Sequence, residues 1–221
     1  MAEQKEQKLK LYANPICPFA QRAWLALELK KIPYEYIKCD LKDKPAFFTE
    51  AYQKALGAAE GSDGKVPVIQ TTDGKFITES TIVARYLDYV YCDETKYGAP
   101  LLPKDAFERA AVEIMVDWFG DSGWLRFHYG ILMQCDKEKA DSSVADWKKK
   151  WKLLDQRLSQ FSDKGLYLGK DRVSLFDIVA YPFFERLITI QHYAKYDILD
   201  KWMEEFPRYQ YIYKPVYICS D

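Results

Sequence analysis

Asn14-Pro15-Ile16-Cys17-Pro18-Phe19-Ala20-Gln21-Arg22 places one cysteine where a strand should turn into a helix. Ahead of it, Lys8-Leu9-Lys10-Leu11-Tyr12 alternates polar and apolar residues, the period of a half-buried strand. Behind it, Pro18 suits the first helical position, where a missing N–H loses no partner. Phe19 to Leu29 contains no Gly, Pro or β-branched residue, and Lys30, Lys31 and Pro33 close the run. Cys17 is therefore expected at a helix N-terminus, where unpaired N–H groups and the macrodipole favour an anion. A thiol so placed is favoured as the thiolate. The competing reading is a small buried hydrophobe, the ordinary state of a cytosolic cysteine; the Cys-Pro pair and the strand-turn-helix setting argue for reactivity. A dithiol redox motif needs a second cysteine three residues on, and that position is Ala20. If reactive, Cys17 works alone and needs an external thiol to release it.

Outward from this stretch, the first ~90 residues alternate strand and helix signals. Tyr34 to Cys39 reads as a second strand after Pro33, and Pro45 to Leu56 as a short helix. Gly57 to Gly64 is a flexible loop by composition. Val66 to Gln70 and Lys75 to Ile77 make a hairpin across Thr72-Asp73-Gly74, and Ser80 to Tyr91 follows as a helix. This is a thioredoxin-like order. From Lys104 the strand signals largely vanish. Phe107, Ala110, Ala111, Ile114, Met115 and Trp118 keep helical spacing, as do Val144, Trp147, Trp151, Leu154, Leu158 and Phe161. Both stripes read as core. Ser174 and Asp177 open a further helix as an N-cap with an acidic N3 residue. The expected architecture is an α/β thioredoxin-like domain over residues 1–91, a linker over 92–104, and an all-α helical bundle domain over 105–221.

Composition narrows the function classes. The 221 residues are 48% hydrophobic, enough for a real core, and 29% charged, which argues for a soluble globular protein and against a disordered one. A formal charge of -1 leaves no basic footprint for nucleic acid and no polybasic membrane signal. No apolar run approaches the ~18 residues that span a bilayer. Met1 to Lys8 is polar and charged, without the apolar stretch of a secretory signal. The five cysteines are scattered and lack paired zinc spacing, so no metal site is expected and a cytoplasmic, reducing setting fits.

A thioredoxin-like half followed by a helical half resembles the glutathione transferase superfamily over almost the whole chain. Cys17-Pro18-Phe19-Ala20-Gln21-Arg22 looks like its cysteine-type omega and lambda classes, and Val66-Pro67-Val68, Glu79-Ser80 and Pro182 to Arg186 agree in order and spacing. The resemblance implies glutathione as cosubstrate, with Cys17 as the catalytic nucleophile. It also implies a cis Val66-Pro67 bond that turns the Val66 backbone toward an extended peptide; an ordinary proline at a strand start is the alternative. Ser80 and its helix N-terminus would hold the γ-glutamyl carboxylate and Glu79 its ammonium; a plain N-cap with an acidic neighbour is the alternative. Phe19 would pack near the ligand, and Lys54 or Lys65 would reach its other carboxylate. The second-substrate site would lie against Trp118, Trp124, Phe127, His128 and Arg186.

The implied activities are thiol transfer, deglutathionylation and dehydroascorbate reduction, on small disulfide or electrophilic substrates and on glutathionylated proteins, with poor conjugation. Homodimer and monomer both stay open. The alternative is a redox-regulated, glutathione-binding protein of the chloride-intracellular-channel type, associating with partners or membranes with little turnover. Against it, the helical half has no acidic insert and the first helix no long apolar stretch. A noncatalytic fold-alike of the kind appended to translation factors would not need Cys17.

Overall fold

The alternating run at the front of the chain forms β1 (Leu9–Ala13), and Pro18 opens α1 (Pro18–Leu29). In this computed structural model the described residues are 8–121, 123–132, 137–161 and 172–194. The tail from 195, including Tyr209 to Cys219, lies outside them, as does Cys135. The chain divides into two compact units, Met1–Leu101 and Leu102–Asp221.

In the first unit α1 ends at Lys30, and Lys31, with φ of 52°, reverses the chain. β2 (Tyr34–Lys38) then pairs in parallel with β1, Leu9 opposite Tyr34 and Ala13 opposite Lys38. α2 (Ala46–Gln53) starts behind Pro45, one residue later than its proline suggested, and stops before Lys54. The last residues expected to be helical instead form the short edge strand β3 (Ala55–Leu56). The reason is non-local: the outer edge of β5 (Phe76–Thr78) offers backbone partners, Ala55 to Phe76 and Leu56 to Ile77. β4 (Val68–Gln70) begins two residues after the expected start, past Pro67, which has no N–H to give a ladder. β4 runs antiparallel to both β1 and β5, and the sheet order is β2-β1-β4-β5-β3.

α3 (Ser80–Val90) packs on α1. Alanines at 20, 23, 26 and 84, all buried, let the two helices approach, with Leu27, Val83 and Leu87 filling the layer beneath. Lys30 and Asp88 form a buried ion pair of 2.8 Å between these helices, and Asp88 also accepts the Leu101 N–H at 2.8 Å. The stretch expected as a bare linker contains α4 (Glu94–Tyr97), N-capped by Asp93, whose carboxylate accepts the Thr95 N–H.

The second unit is helical among its described residues: α5 (Ala106–Asp121), α6 (Trp124–Leu132), α7 (Lys137–Phe161), α8 (Leu175–Glu185) and α9 (Leu187–Ala194). The α7 stripe is core as expected, with Trp147, Trp151, Leu154 and Leu158 buried. Of the expected α5 stripe Met115 is buried, but Phe107 and Ile114 are not. These two are 82% and 52% exposed, while Val112, Val116 and Phe119 are buried with Met115. α5 carries two apolar stripes at helical spacing, and packing selects the second. At the head of α8 the capping box closes: Ser174 accepts the Asp177 N–H, and Asp177 accepts both the N–H of Ser174, at 2.7 Å, and its hydroxyl, at 2.6 Å. Among the described residues no helix is long and apolar enough to cross a membrane.

Candidate active-site cleft

The turn between β1 and α1 is fixed by Asn14. Its Oδ1 accepts the Ile16 N–H at 3.0 Å, and its Nδ2 donates to the buried Cys39 carbonyl at 2.7 Å. Cys17 follows as the N-cap of α1 with extended backbone. Its N–H bonds the Asn14 carbonyl at 3.0 Å, and its own carbonyl accepts the Gln21 N–H. No side chain caps this helix and no acidic residue occupies its first turn, so its N-terminal field is left for another anion. The half-buried Sγ lies 4.0 Å from the Val66 carbonyl oxygen.

Arg22, one turn into α1, is a buried cation, 4% exposed. Its guanidinium lies over the Phe19 ring, 5.0 Å from the centroid, and Nη1 reaches the Ser80 hydroxyl at 3.4 Å. Burial pushes the Arg22 pKa down to about 10, with the Cys17 sulfur pulling the other way, so it stays charged at neutral pH.

A cleft of about 400 Å³ opens at Cys17, within the roughly 300–1,000 Å³ usual for small-molecule sites. Cys17 and Phe19 contribute from α1, Val66 and Pro67 from the approach to β4, and Glu79 and Ser80 from the start of α3. The Val66-Pro67 bond is cis, and the Thr78 hydroxyl donates to the Pro67 carbonyl at 3.0 Å. Glu79, the N-cap of α3, has φ of 70°, a left-handed conformation that costs a non-glycine residue about 1–3 kcal/mol. That conformation lets an exposed carboxylate and a helix start share one corner of the cleft.

The remaining lining comes from Asp40, Leu41 and Lys44 of the β2–α2 loop, Phe48 of α2, and Gly64 and Lys65. Asp40 accepts the N–H groups of Lys42 and Asp43, which hold its carboxyl below the ordinary range and turn the loop. Lys44, directly before Pro45, pairs with Asp63 at 2.9 Å. Lys65 lines the cleft; Lys54, the C-cap of α2, is exposed and lies outside the lining. Lys44 was missed by sequence reasoning. Its place directly before Pro45 carries no signal along the chain; the β1–β2 pairing is what returns it to the cleft that Cys17 lines.

The segment read as flexible is anchored. The Tyr52 hydroxyl accepts the Ala59 N–H at 3.2 Å, Gln53 Nε2 donates to the Ser62 carbonyl at 2.5 Å, and the Thr49 hydroxyl donates to the Asp63 carbonyl at 3.3 Å. Gly64 has φ of 103°, and a Cβ there would stand 2.9 Å from the Phe48 ring and 3.0 Å from Tyr52. Only glycine fits this position.

The residues expected at a second-substrate site belong to the helical unit. Trp118 lies beneath the Arg157 guanidinium, 4.8 Å from the ring centroid. Trp124 is buried, stacked on Phe119 at 5.0 Å and edge-on to Trp151 at 5.2 Å. His128 is buried with Nδ1 2.9 Å from the Trp124 carbonyl and Nε2 2.7 Å from the Phe183 carbonyl, and burial pushes its pKa down. Trp124 and His128 are thus core residues of this unit. Arg186 donates Nη1 to the Pro182 carbonyl. The Phe127 side chain lies outside the described residues. Of the other described cysteines, Cys39 is buried, which pushes its thiol up to about 11, and Cys92 is exposed.

Residues 16–89 match the family model for the glutathione S-transferase N-terminal domain. The chain is 28% identical over 186 residues to glutathione S-transferase omega-1 of Rattus norvegicus, covering 84% of this chain and 70% of that protein. The crystal structure of glutathione transferase Omega 3C from Trametes versicolor is similar with a TM-score of 0.67 at 28% identity, covering 88% of this chain and 79% of that one. A tau class glutathione S-transferase from mango, Mangifera indica, reaches a TM-score of 0.76 at 21% identity, covering 92% and 85%, a likeness of fold.

Proposed function

From the premise that this chain belongs to the glutathione transferase superfamily and is omega-like within it, we propose that it is a glutathione-dependent thiol transferase working through Cys17. The observation that carries the reading is a single cysteine at an uncapped helix start, opening on a cleft, with Ala20 where a resolving thiol would sit.

The chemistry follows from one protein thiolate. Cys17 attacks the glutathione sulfur of a mixed disulfide, forming a Cys17–glutathione disulfide and releasing the substrate thiolate, which takes a proton. The thiolate of a second glutathione attacks the glutathione sulfur of that adduct. Oxidised glutathione leaves, and Cys17 returns as the leaving thiolate. With dehydroascorbate as oxidant, two glutathione thiols supply the two electrons and two protons. Glu79 takes the γ-glutamyl ammonium, Ser80 and the α3 N-terminus its carboxylate, and the Val66 backbone the cysteinyl peptide. Lys44 joins Lys65 as a partner for the glycine carboxylate, since both line the cleft and Lys54 does not. Phe19 packs beside the sulfur.

The test is steady-state glutathione-dependent reduction of a small mixed disulfide by wild type and Cys17→Ser. Turnover lost in the variant, with little aryl conjugation by wild type, is the expected result. Uptake of glutathione on Cys17 without turnover would reject the enzyme in favour of a redox-gated binding protein.

A further inference from the structure

Lys44 lines the cleft, yet its ammonium is already occupied by a carboxylate of the chain's own, Asp63 Oδ1 at 2.9 Å. The two belong to different segments: Lys44 ends the β2–α2 loop, and Asp63 lies in the loop between β3 and β4. The Lys44 side chain is 19% exposed, whereas that of Asp63 is 71% exposed. An exposed pair of flexible side chains usually has little consequence, because holding both in one geometry costs conformational entropy. Here the acidic side is presented by a fixed backbone. Thr49 binds the Asp63 carbonyl, Gln53 binds the Ser62 carbonyl, and the Ser62 hydroxyl accepts the Gly64 N–H at 3.1 Å. Gly64 is locked between Phe48 and Tyr52. The Lys44 ammonium holds the Asp63 carboxyl below its ordinary range, consistent with a formed pair.

We infer that Asp63 is a specificity-determining residue that competes for Lys44 with the C-terminal carboxylate of the bound thiol. This rests on the glutathione reading proposed above and deepens it. A thiol with a free glycine carboxylate must share or displace the Asp63–Lys44 pair, and Asp63, held by its backbone, stays near as a repelling charge. Asp40, which also lines the cleft, adds to the negative side. A thiol whose glycine is amidated carries no charge to be repelled and loses no free cation. The site therefore discriminates weakly between free-acid and amidated thiols, and Asp63 is the reason.

Titration calorimetry on the full chain with S-methylglutathione and its glycine amide, which cannot form a disulfide with Cys17, reads this directly. Asp63→Asn is expected to tighten S-methylglutathione about two- to fivefold, the scale of one exposed ion pair, and to leave the amide unchanged. In a Lys44→Met background the same substitution is expected to tighten S-methylglutathione by less, since only the direct repulsion is left to relieve, and again to leave the amide unchanged. A ratio of the two affinities that Asp63→Asn leaves unmoved overturns the inference, as does weaker binding of the free acid, which would make Asp63 an organiser of Lys44. An equal shift in the Lys44→Met background also overturns it, because Asp63 would then act by its general field. Binding of both ligands by wild type with an unmoved ratio removes this inference alone; binding of neither removes the glutathione reading with it.

Discussion

Two helix starts in this molecule solve the same problem in opposite ways. α1 and α8 each begin with amide groups that have no partner inside the helix. At α8 the chain closes on itself: Ser174 and Asp177 bond each other, both buried, through one carboxylate oxygen, while Asp177 Oδ1 has no hydrogen-bond partner. At α1 the cap position is a cysteine whose side chain bonds none of the helix's own amides, and the first turn carries no acid. One start is spent on stability, and the other, on the function proposed above, is left to chemistry. The difference lies in two residue types, a hydroxyl and a carboxylate three apart against a thiol and an alanine.

The comparison breaks if the two sites trade effects. The largest expected separation is between Cys17→Ser and Ser174→Ala. Cys17→Ser should lower mixed-disulfide turnover at least about a thousandfold, as loss of a nucleophile does, with the urea midpoint almost unmoved. Ser174→Ala should cost about 2 kcal/mol in urea unfolding, since a cap is lost and a buried carboxylate is left short of donors. Cys17 chemistry in the remaining folded protein should persist.

The closed start also has a pH signature. Burial lifts the Asp177 carboxyl to about 7, above an unfolded value of about 3.9. Between those values the folded chain keeps a proton that the unfolded chain has released, so stability falls as pH rises through that window. Asp177→Asn has no such proton. Wild type should gain on the variant as pH is lowered from 7 toward 4, by up to about 1.4 kcal/mol per pH unit. A pH-independent difference between the two unfolding curves would contradict the assignment.

Smaller effects sharpen the open start. Ser80→Ala, which removes the hydroxyl facing Arg22, should raise KM for glutathione about fivefold, the scale of one hydrogen bond, with kcat little changed. Lys44→Ala should raise KM about two- to fivefold, whereas Lys54→Ala should leave it unchanged. Equal responses from the two lysines would show that lining the cleft does not decide the carboxylate partner.

Much of this was readable where the cause is local. Pro18 at the first helical position, the Ser174–Asp177 box and the α7 tryptophan stripe are properties of a few adjacent residues, and they appear as the sequence suggests. What escaped depends on distant partners. The end of α2 is decided by the free edge of β5, and the phase of α5 by which of two apolar stripes finds the bundle. The 57–65 segment looked loose because its Gly, Ser and Asp are turn formers, yet Thr49, Tyr52 and Gln53 hold it. Lys54 attracted attention by its place in the chain and Lys44 did not, because nothing along the sequence says which lysine the β1–β2 pairing returns to Cys17. His128, named for the second-substrate wall by the resemblance, is held between the Trp124 and Phe183 carbonyls, and the distant Phe183 contact cannot be read along the chain.

The Lys30–Asp88 pair has a consequence for anyone recombining the halves of such chains. Its third member is the Leu101 amide, ten residues beyond Tyr91, the last residue of α3's C-cap. A chimaera joined directly after Tyr91 leaves the placing of that amide to the donor's connecting segment, and where it is misplaced the buried aspartate loses a donor. A joint placed after Leu102 carries the ion pair and its amide across together, so the practical seam for shuffling lies at the end of the connecting segment and not at the end of the helix.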